Sequence, residues 1–155
     1  MIWLDEWGVN RYAANFAFLM LHSNTYLDRL SPAEKRQWYD VGQSQIDYML
    51  GDSGRSYVIG FGNNPPKRPH HRFYKSYKNS TFHVHSRSSS CPGVQNGACT
   101  GNGQPGDNPW ILYGALIAGP DRWDNYVDDR NDYIQCEVAC DYNAGFQSSV
   151  AALLN

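Results

Sequence analysis

Ser31-Pro-Ala-Glu-Lys-Arg-Gln-Trp-Tyr-Asp-Val-Gly-Gln-Ser-Gln-Ile-Asp-Tyr-Met-Leu-Gly51 is the stretch whose reading decides the fold class. Ser31 and Glu34 are spaced as a capping box, and Pro32 at the first helical position has no N–H to leave unsatisfied. The helix they open runs through Trp38, Val41, Ile46 and Tyr48 to Leu50, where Gly51 supplies the stop. Working back toward the start, Val9, Tyr12, Ala13, Phe16, Ala17, Leu19 and Met20 recur at helical spacing. They predict a helix from Asp5 to about His22, with Asn24–Leu30 as a short polar link. Two helices joined in this way make an antiparallel hairpin over residues 5–50.

Working forward, Ser56–Phe61 reads as a short extended stretch, and Gly60, Gly62, Pro65, Pro66 and Pro69 exclude regular structure after it. Sixteen of the 24 residues from Ser86 to Pro109 are Gly, Pro, Ser, Asn or Thr, which predicts a long surface loop of the functional kind. Helical pattern returns over Trp110–Ala118, is cut by Gly119-Pro120, and resumes over Asp141–Leu154. There Tyr142, Phe146, Val150, Leu153 and Leu154 alternate with Ala144, Gly145, Ser148, Ala151 and Ala152, small residues that let a helix pack closely. With no βαβ alternation and no internal repeat, the expected fold is mainly α with function-bearing loops.

Composition narrows the class. A chain of 155 residues suits one domain, and its 22 Phe, Trp and Tyr are too many for a disordered segment. No apolar run approaches the ~20 residues of a membrane span, and no signal-peptide pattern opens the chain. Four Cys are too few for a disulfide-built scaffold. The net charge of −2 conceals −3 over Met1–Asp52, +7 over Gly54–Gly106 and −6 from Asp107 to the end. A basic middle suits anions or nucleic acid. Without an accompanying nucleic-acid motif, the better reading is that the segments fold together and their fields partly cancel.

Two stretches are too specific for scaffold. Ser56-Tyr-Val-Ile-Gly-Phe-Gly-Asn-Asn-Pro-Pro-Lys-Arg-Pro-His-His-Arg72 sets His70, His71 and Arg72 on a Pro-flanked loop, where imidazole and guanidinium donors suit hydroxyls, carboxylates or phosphates. The bland alternative is a solvated basic turn. Asp121–Glu137 holds six acids in 17 residues, and crowded carboxylates push at least one pKa up. Glu137 stands out because Tyr133, Ile134, Val138 and Ala139 surround it rather than Lys or Arg. A carboxyl kept protonated there is what a general acid requires. The acidic spacing departs from the EF-hand loop, which argues against calcium. His70, His71, His83, His85, Cys91 and Cys99 lack paired Cys-x-x-Cys spacing, which argues against zinc. The expectation is no metal and no cofactor. Cys91 and Cys99 suit a loop disulfide, while Cys136 and Cys140 are either free or paired with the loop cysteines. Of Trp3, Trp7, Trp110 and Trp123, at most one is expected to stack on a sugar ring.

These residues resemble glycoside hydrolase family 9, the inverting endo-β-1,4-glucanases, and especially its animal branch. The late region fits the family pattern at Tyr126, Asp128, Tyr133, Glu137, Ala139, Asn143 and Ala144. The earlier one fits at Ser56, Val58, Gly62, Asn64, Pro69, His70 and Arg72, with Ile59 where a smaller residue is usual. Leu50-Gly-Asp-Ser-Gly-Arg-Ser56, Leu112-Tyr-Gly-Ala-Leu116 and Gly119-Pro-Asp121 extend the likeness along nearly the whole chain. The resemblance implies the C-terminal portion of an (α/α)6 barrel: a helical hairpin over 5–50, a substrate loop over 56–109, and a catalytic-acid segment with the last helices over 110–155. It implies Glu137 as general acid, His70 and Asp128 in the catalytic set, and Arg72, His71 and Tyr142 on the substrate. The partner is a β-1,4-glucan, with neither nucleic acid nor membrane, and the setting is extracellular as part of a full-length enzyme.

Two departures carry consequences. No Asp-Ala-Gly-Asp-like segment occurs in these residues. The catalytic base is therefore expected outside the chain, and a non-catalytic sugar-binding remnant is the competing reading. Phe73–His85, with its Asn79-Ser80-Thr81 sequon, intervenes before the family pattern resumes at His83–Pro92. That leaves Arg72 and Arg87 as rivals for the sugar-binding arginine, with spacing favouring Arg72.

Overall fold

The computed structural model describes residues 1–71, 106–108 and 111–154, and the backbone of 94–95 and 98–99. The expectations placed on Arg72, the Phe73–His85 insertion, Arg87, the Cys91–Cys99 pairing and Trp110 fall outside the described residues. The elements are α1 (Val9–Tyr26), α2 (Pro32–Asp47), α3 (Tyr133–Cys136) and α4 (Cys140–Leu153), with a small antiparallel ladder of β1 (Val94–Gln95) and β2 (Ala98–Cys99). Val94 pairs with Cys99, and Gln95 with Ala98.

The capping box forms as the sequence predicts: Ser31 Oγ accepts from Glu34 N–H at 3.3 Å, and the Glu34 carboxylate accepts from Ser31 N–H at 2.8 Å. After Asp47 the chain widens into a π turn over Tyr48–Asp52, which Gly51 closes at φ 142°. A side chain would be strained in that conformation, so glycine is the stop.

The first helix begins and ends later than its apolar spacing predicts. Gly8 stands before it at φ 72°, and a methyl there would lie 2.9 Å from the Tyr142 hydroxyl, so residues 5–8 form an ordered approach rather than a first turn. At the far end the helix continues through Asn24 to Tyr26. His22 stacks between Phe18 and Tyr26, with ring centroids 5.0 and 4.6 Å away, and Asn24 Nδ2 donates to Lys35 C=O at 2.8 Å.

Helices α1 and α4 pack closely because the contact is lined by small residues. Ala13, Ala14 and Ala17 are fully buried, and Ser149 Oγ donates to Ala14 C=O at 3.3 Å. A methyl added at Gly145 would lie 2.8 Å from Asn15 N, inside any allowed contact. Of the expected small-residue stripe, Gly145 faces the partner helix while Ala144 and Ala151 face outward.

The helix expected over Trp110–Ala118 is corrected: the described residues from Ile111 to Ala118 are not helical. Leu116 bridges Val58, and Ile117 bridges Val138, both antiparallel. Ile59 N–H and Ile117 N–H donate to Ala115 C=O and Tyr57 C=O at 2.9 and 3.1 Å. A short apolar run reads alike as buried helix or buried strand, and here Gly114 and Gly119 at φ 80° and 113° break any helix. This extended layer carries Tyr57, Val58, Ile59, Leu116, Ile117 and Ala118 into the core beneath α1, α2 and α4. Each large side chain so buried contributes about 1.5–3 kcal/mol.

Candidate active site

Glu137 sits where three parts of the chain meet. Its own strand-like segment leaves α3 with φ −64° and ψ 149°. The neighbouring backbone pins it: His70 N–H donates to Cys136 C=O at 2.7 Å, and Ala118 N–H donates to Glu137 C=O at 2.8 Å. The side chain is half-buried, and among the described residues two side chains bond one of its oxygens. Trp7 Nε1–H donates to Glu137 Oε2 at 2.6 Å, and the Tyr142 hydroxyl donates to the same atom at 3.1 Å.

Each donor is delivered by a different element. Tyr142 lies in the first turn of α4 and is buried; burial and the adjacent Glu137 hold its phenol well above the ordinary range, so it remains a neutral donor. Trp7 is set by the start of α1. Asn10, fully buried, donates its backbone N–H to Ala118 C=O at 2.8 Å and its Nδ2 to Ile117 C=O at 3.0 Å. Gly119 leaves room for this, since a methyl there would lie 2.7 Å from Asn10 Cγ. The left-handed turn at Gly8 then brings Trp7 back over Glu137, with its indole tilted against Tyr133 at 5.2 Å between centroids.

The acid opens on a pocket of about 470 Å³ lined by Asp5, Glu6, Trp7, Arg11, Tyr12, Glu137, Ala139, Asp141 and Tyr142. Arg11 bonds Asp141 at 3.0 Å and the Tyr12 hydroxyl at 2.9 Å. A second open concavity of about 450 Å³ shares Ala139 and is lined also by His71, Tyr113, Val138, Cys140 and Asn143.

The two histidines part company. His70 Nδ1 lies 2.6 Å from Arg130 C=O, an acceptor only, so Nδ1 carries a proton and donates it there. Its ring meets Tyr133 at 6.1 Å. His71 lines the second concavity; burial and the neighbouring His70 push its pKa below the usual value.

Asp128 is placed as a brace. Its Oδ2 accepts from Lys67 N–H at 2.8 Å, and its Oδ1 from Arg68 N–H and the Tyr126 hydroxyl, each at 3.1 Å. Burial holds the Tyr126 phenol far above its ordinary range, and burial pushes the Cys136 thiol beside it up to about 11. Cys136 and Cys140 are both free, the first buried and the second exposed. Asn108 completes the brace by donating Nδ2 to Pro69 C=O at 2.8 Å. Within the acidic run, the Asn125 side chain, donating at 3.0 Å, holds the Asp121 carboxyl below the usual range. Among the described residues, no group of three or more His, Cys, Asp or Glu could hold a metal ion.

Glu137, His70 and Tyr142 are thus brought together around one wall, with His71 beside it and Asp128 behind the loop. From the sequence, Trp7 is a candidate for stacking or for the core, not for a hydrogen bond to the acid. Its bond to Glu137 links residues at opposite ends of the chain, and no local spacing signals that. Tyr133 stands between His70 and Trp7, its ring meeting both.

Residues 1–150 match the sequence profile of glycosyl hydrolase family 9. The chain belongs to this family. A family 9 likeness appears also in solved structures. The endoglucanase of the termite Nasutitermes takasagoensis is 45% identical with a TM-score of 0.78, the match covering 99% of this chain and 31% of the termite chain. Endoglucanase CelQ of Clostridium thermocellum, solved with cellotriose, is 40% identical with a TM-score of 0.76, over 97% of this chain and 22% of CelQ. Endoglucanase A of Bacillus pumilus is 43% identical, over 99% of this chain and 20% of its own length. The helices are therefore a portion of the (α/α)6 barrel of family 9, and the chain spans under a third of these relatives.

Proposed function

We propose that these residues are the C-terminal part of a secreted endo-β-1,4-glucanase and supply its general acid. The observation that carries this is Glu137 at the rim of an open pocket, its carboxyl oriented by Trp7 and Tyr142 and its backbone paired with His70. In the reaction, Glu137 gives a proton to the glycosidic oxygen as its bond to C1 breaks. Water attacks C1 from the opposite face and loses a proton to a base, inverting the anomeric centre. His70 and His71 are proposed to meet the substrate, with Arg72 as a further binding group from the sequence motif; the buried Tyr142, expected on the substrate, serves it through Glu137, and Asp128 serves the step by holding the loop that presents His70.

The base is proposed to lie outside these 155 residues. Asp128 is engaged by two backbone amides, and Asp141 by Arg11, on the same side as the acid. An inverting pair stands about 6.5–9.5 Å apart across the sugar, with room for a water between. The second reading is a non-catalytic sugar-binding remnant that keeps this wall without the base.

Replacement Glu137→Gln in the full-length protein is expected to lower reducing-sugar release from soluble cellulose on the order of 10²–10⁴-fold. The first-formed anomer, read by NMR, should be inverted. Retained activity in the variant, or a retained anomer, would sink the proposal. Binding of cellooligosaccharides by the full-length protein without any release of reducing sugar would favour the remnant.

A further inference from the structure

The two donors on Glu137 have a consequence for which oxygen reacts. Trp7 Nε1–H is a donor with no acceptor capacity, and it meets Oε2 at 2.6 Å. A proton on Oε2 would point at another N–H. The Tyr142 hydroxyl occupies the remaining side of the same atom at 3.1 Å. The geometry assigns Trp7 and Tyr142 as positioning residues that together hold Oε2, so that the proton Glu137 delivers is carried on Oε1. This rests on the reading of Glu137 as general acid.

The clamp acts on the chemical step for an electrostatic reason. As the proton leaves Oε1 for the glycosidic oxygen and the C1–O bond breaks, the electron pair of the O–H bond stays on the carboxyl group. Negative charge grows on Glu137. Hydrogen bonds to an anion are stronger than those to a neutral acid, so both donors tighten as the transition state forms. They are also preorganised. Tyr142 is buried in α4, and Gly8 at φ 72° allows the Trp7 segment to pass against the Tyr142 hydroxyl, where any side chain would collide. Tyr133 supports the indole from one side, and the ring is half-exposed.

The leaving group distinguishes a positioning role from a merely structural one. A sugar alkoxide needs the proton, whereas dinitrophenolate departs without it. In the full-length protein, Trp7→Phe and Tyr142→Phe each remove one donor and keep a ring. Each is expected to lower the ratio of kcat on soluble β-1,4-glucan to kcat on a dinitrophenyl β-cellooligosaccharide on the order of tenfold, with the larger change in kcat rather than KM. An equal fall on both substrates, or no fall, overturns the clamp. If Trp7→Phe does not fold, Tyr142→Phe carries the same comparison. Glu137→Gln run in parallel separates the two levels. If it abolishes glucan hydrolysis while the ratio stays unchanged in the Phe variants, only the clamp fails. If it leaves glucan hydrolysis intact, the acid reading itself falls.

Discussion

In the helical layer, α1 meets α4 across Ala14, Asn15, Gly145 and Ser149, and the contact is made almost entirely by shape. In the wall that carries Glu137, the chain from Arg55 to His71 and from Asp121 to Ala139 has little regular structure. There, side chains take over the work of a ladder: Asp128 collects the amides of Lys67 and Arg68, Asp132 caps Ile134 and Gln135, and Asp121 gathers those of Trp123 and Asn125. The acidic run that looked like a cluster of titrating groups is in large part a set of local caps. Shape-based packing tolerates little change in volume, whereas polar bracing near solvent can be partly replaced by water. The two regions should therefore respond differently to substitution.

The largest effect on stability is expected in the helical layer. Gly145→Leu forces a side chain into the Asn15 backbone and should cost about 3 kcal/mol, read as a fall in thermal midpoint of the full-length protein. An unchanged midpoint would mean the α1–α4 contact is looser than its geometry. The wall comes next. Asp128→Ala removes an anionic acceptor from two exposed amides and from Tyr126, and should cost about 1–2 kcal/mol because water replaces part of it. Glucan KM is expected to rise as the His70 loop loosens. A variant with full stability and full activity would remove the bracing role.

A subtler contrast concerns pH. Folded His71 resists protonation because it is half-buried beside His70, while the unfolded residue takes up its proton near 6.5. The unfolded state thus binds more protons below that value. The stability linked to His71 is fully present above pH 6.5 and declines as pH falls toward the lower folded pKa. His71→Gln should flatten the acid side of the melting profile, and an unaltered slope would exclude His71 as its source. Smallest is Arg36→Ala, which breaks an exposed i,i+4 pair with Asp40 at 2.9 Å and should change stability by about 0.5 kcal/mol or less.

Much of this was legible in the residues. The Ser31–Glu34 capping box, the Gly51 stop and the small-residue helix after Asp141 are local patterns, and local patterns survive into the structure. The stretches that singled out Glu137, His70 and Asp128 were legible as motifs. The segment Ile111–Ala118 was not, because its apolar run gains its conformation from Val58 and Val138, partners remote in sequence. Nor was the division of labour between two carboxylates of one acidic segment, since Asp128 and Glu137 differ only in what the fold brings to them.

The sequence by itself determined the helix opened at Ser31 with its cap and stop, the small-residue helix after Asp141 and the composition of the loops, all set by spacing along the chain. Only the tertiary structure decided the tasks of the groups that carry chemistry. It turned Trp7 into a donor on Glu137 by docking Asn10 against Ala118, and it committed Asp128 to two backbone amides. A hydrogen bond depends on distance and direction in space, and pattern along the chain specifies neither for residues so far apart.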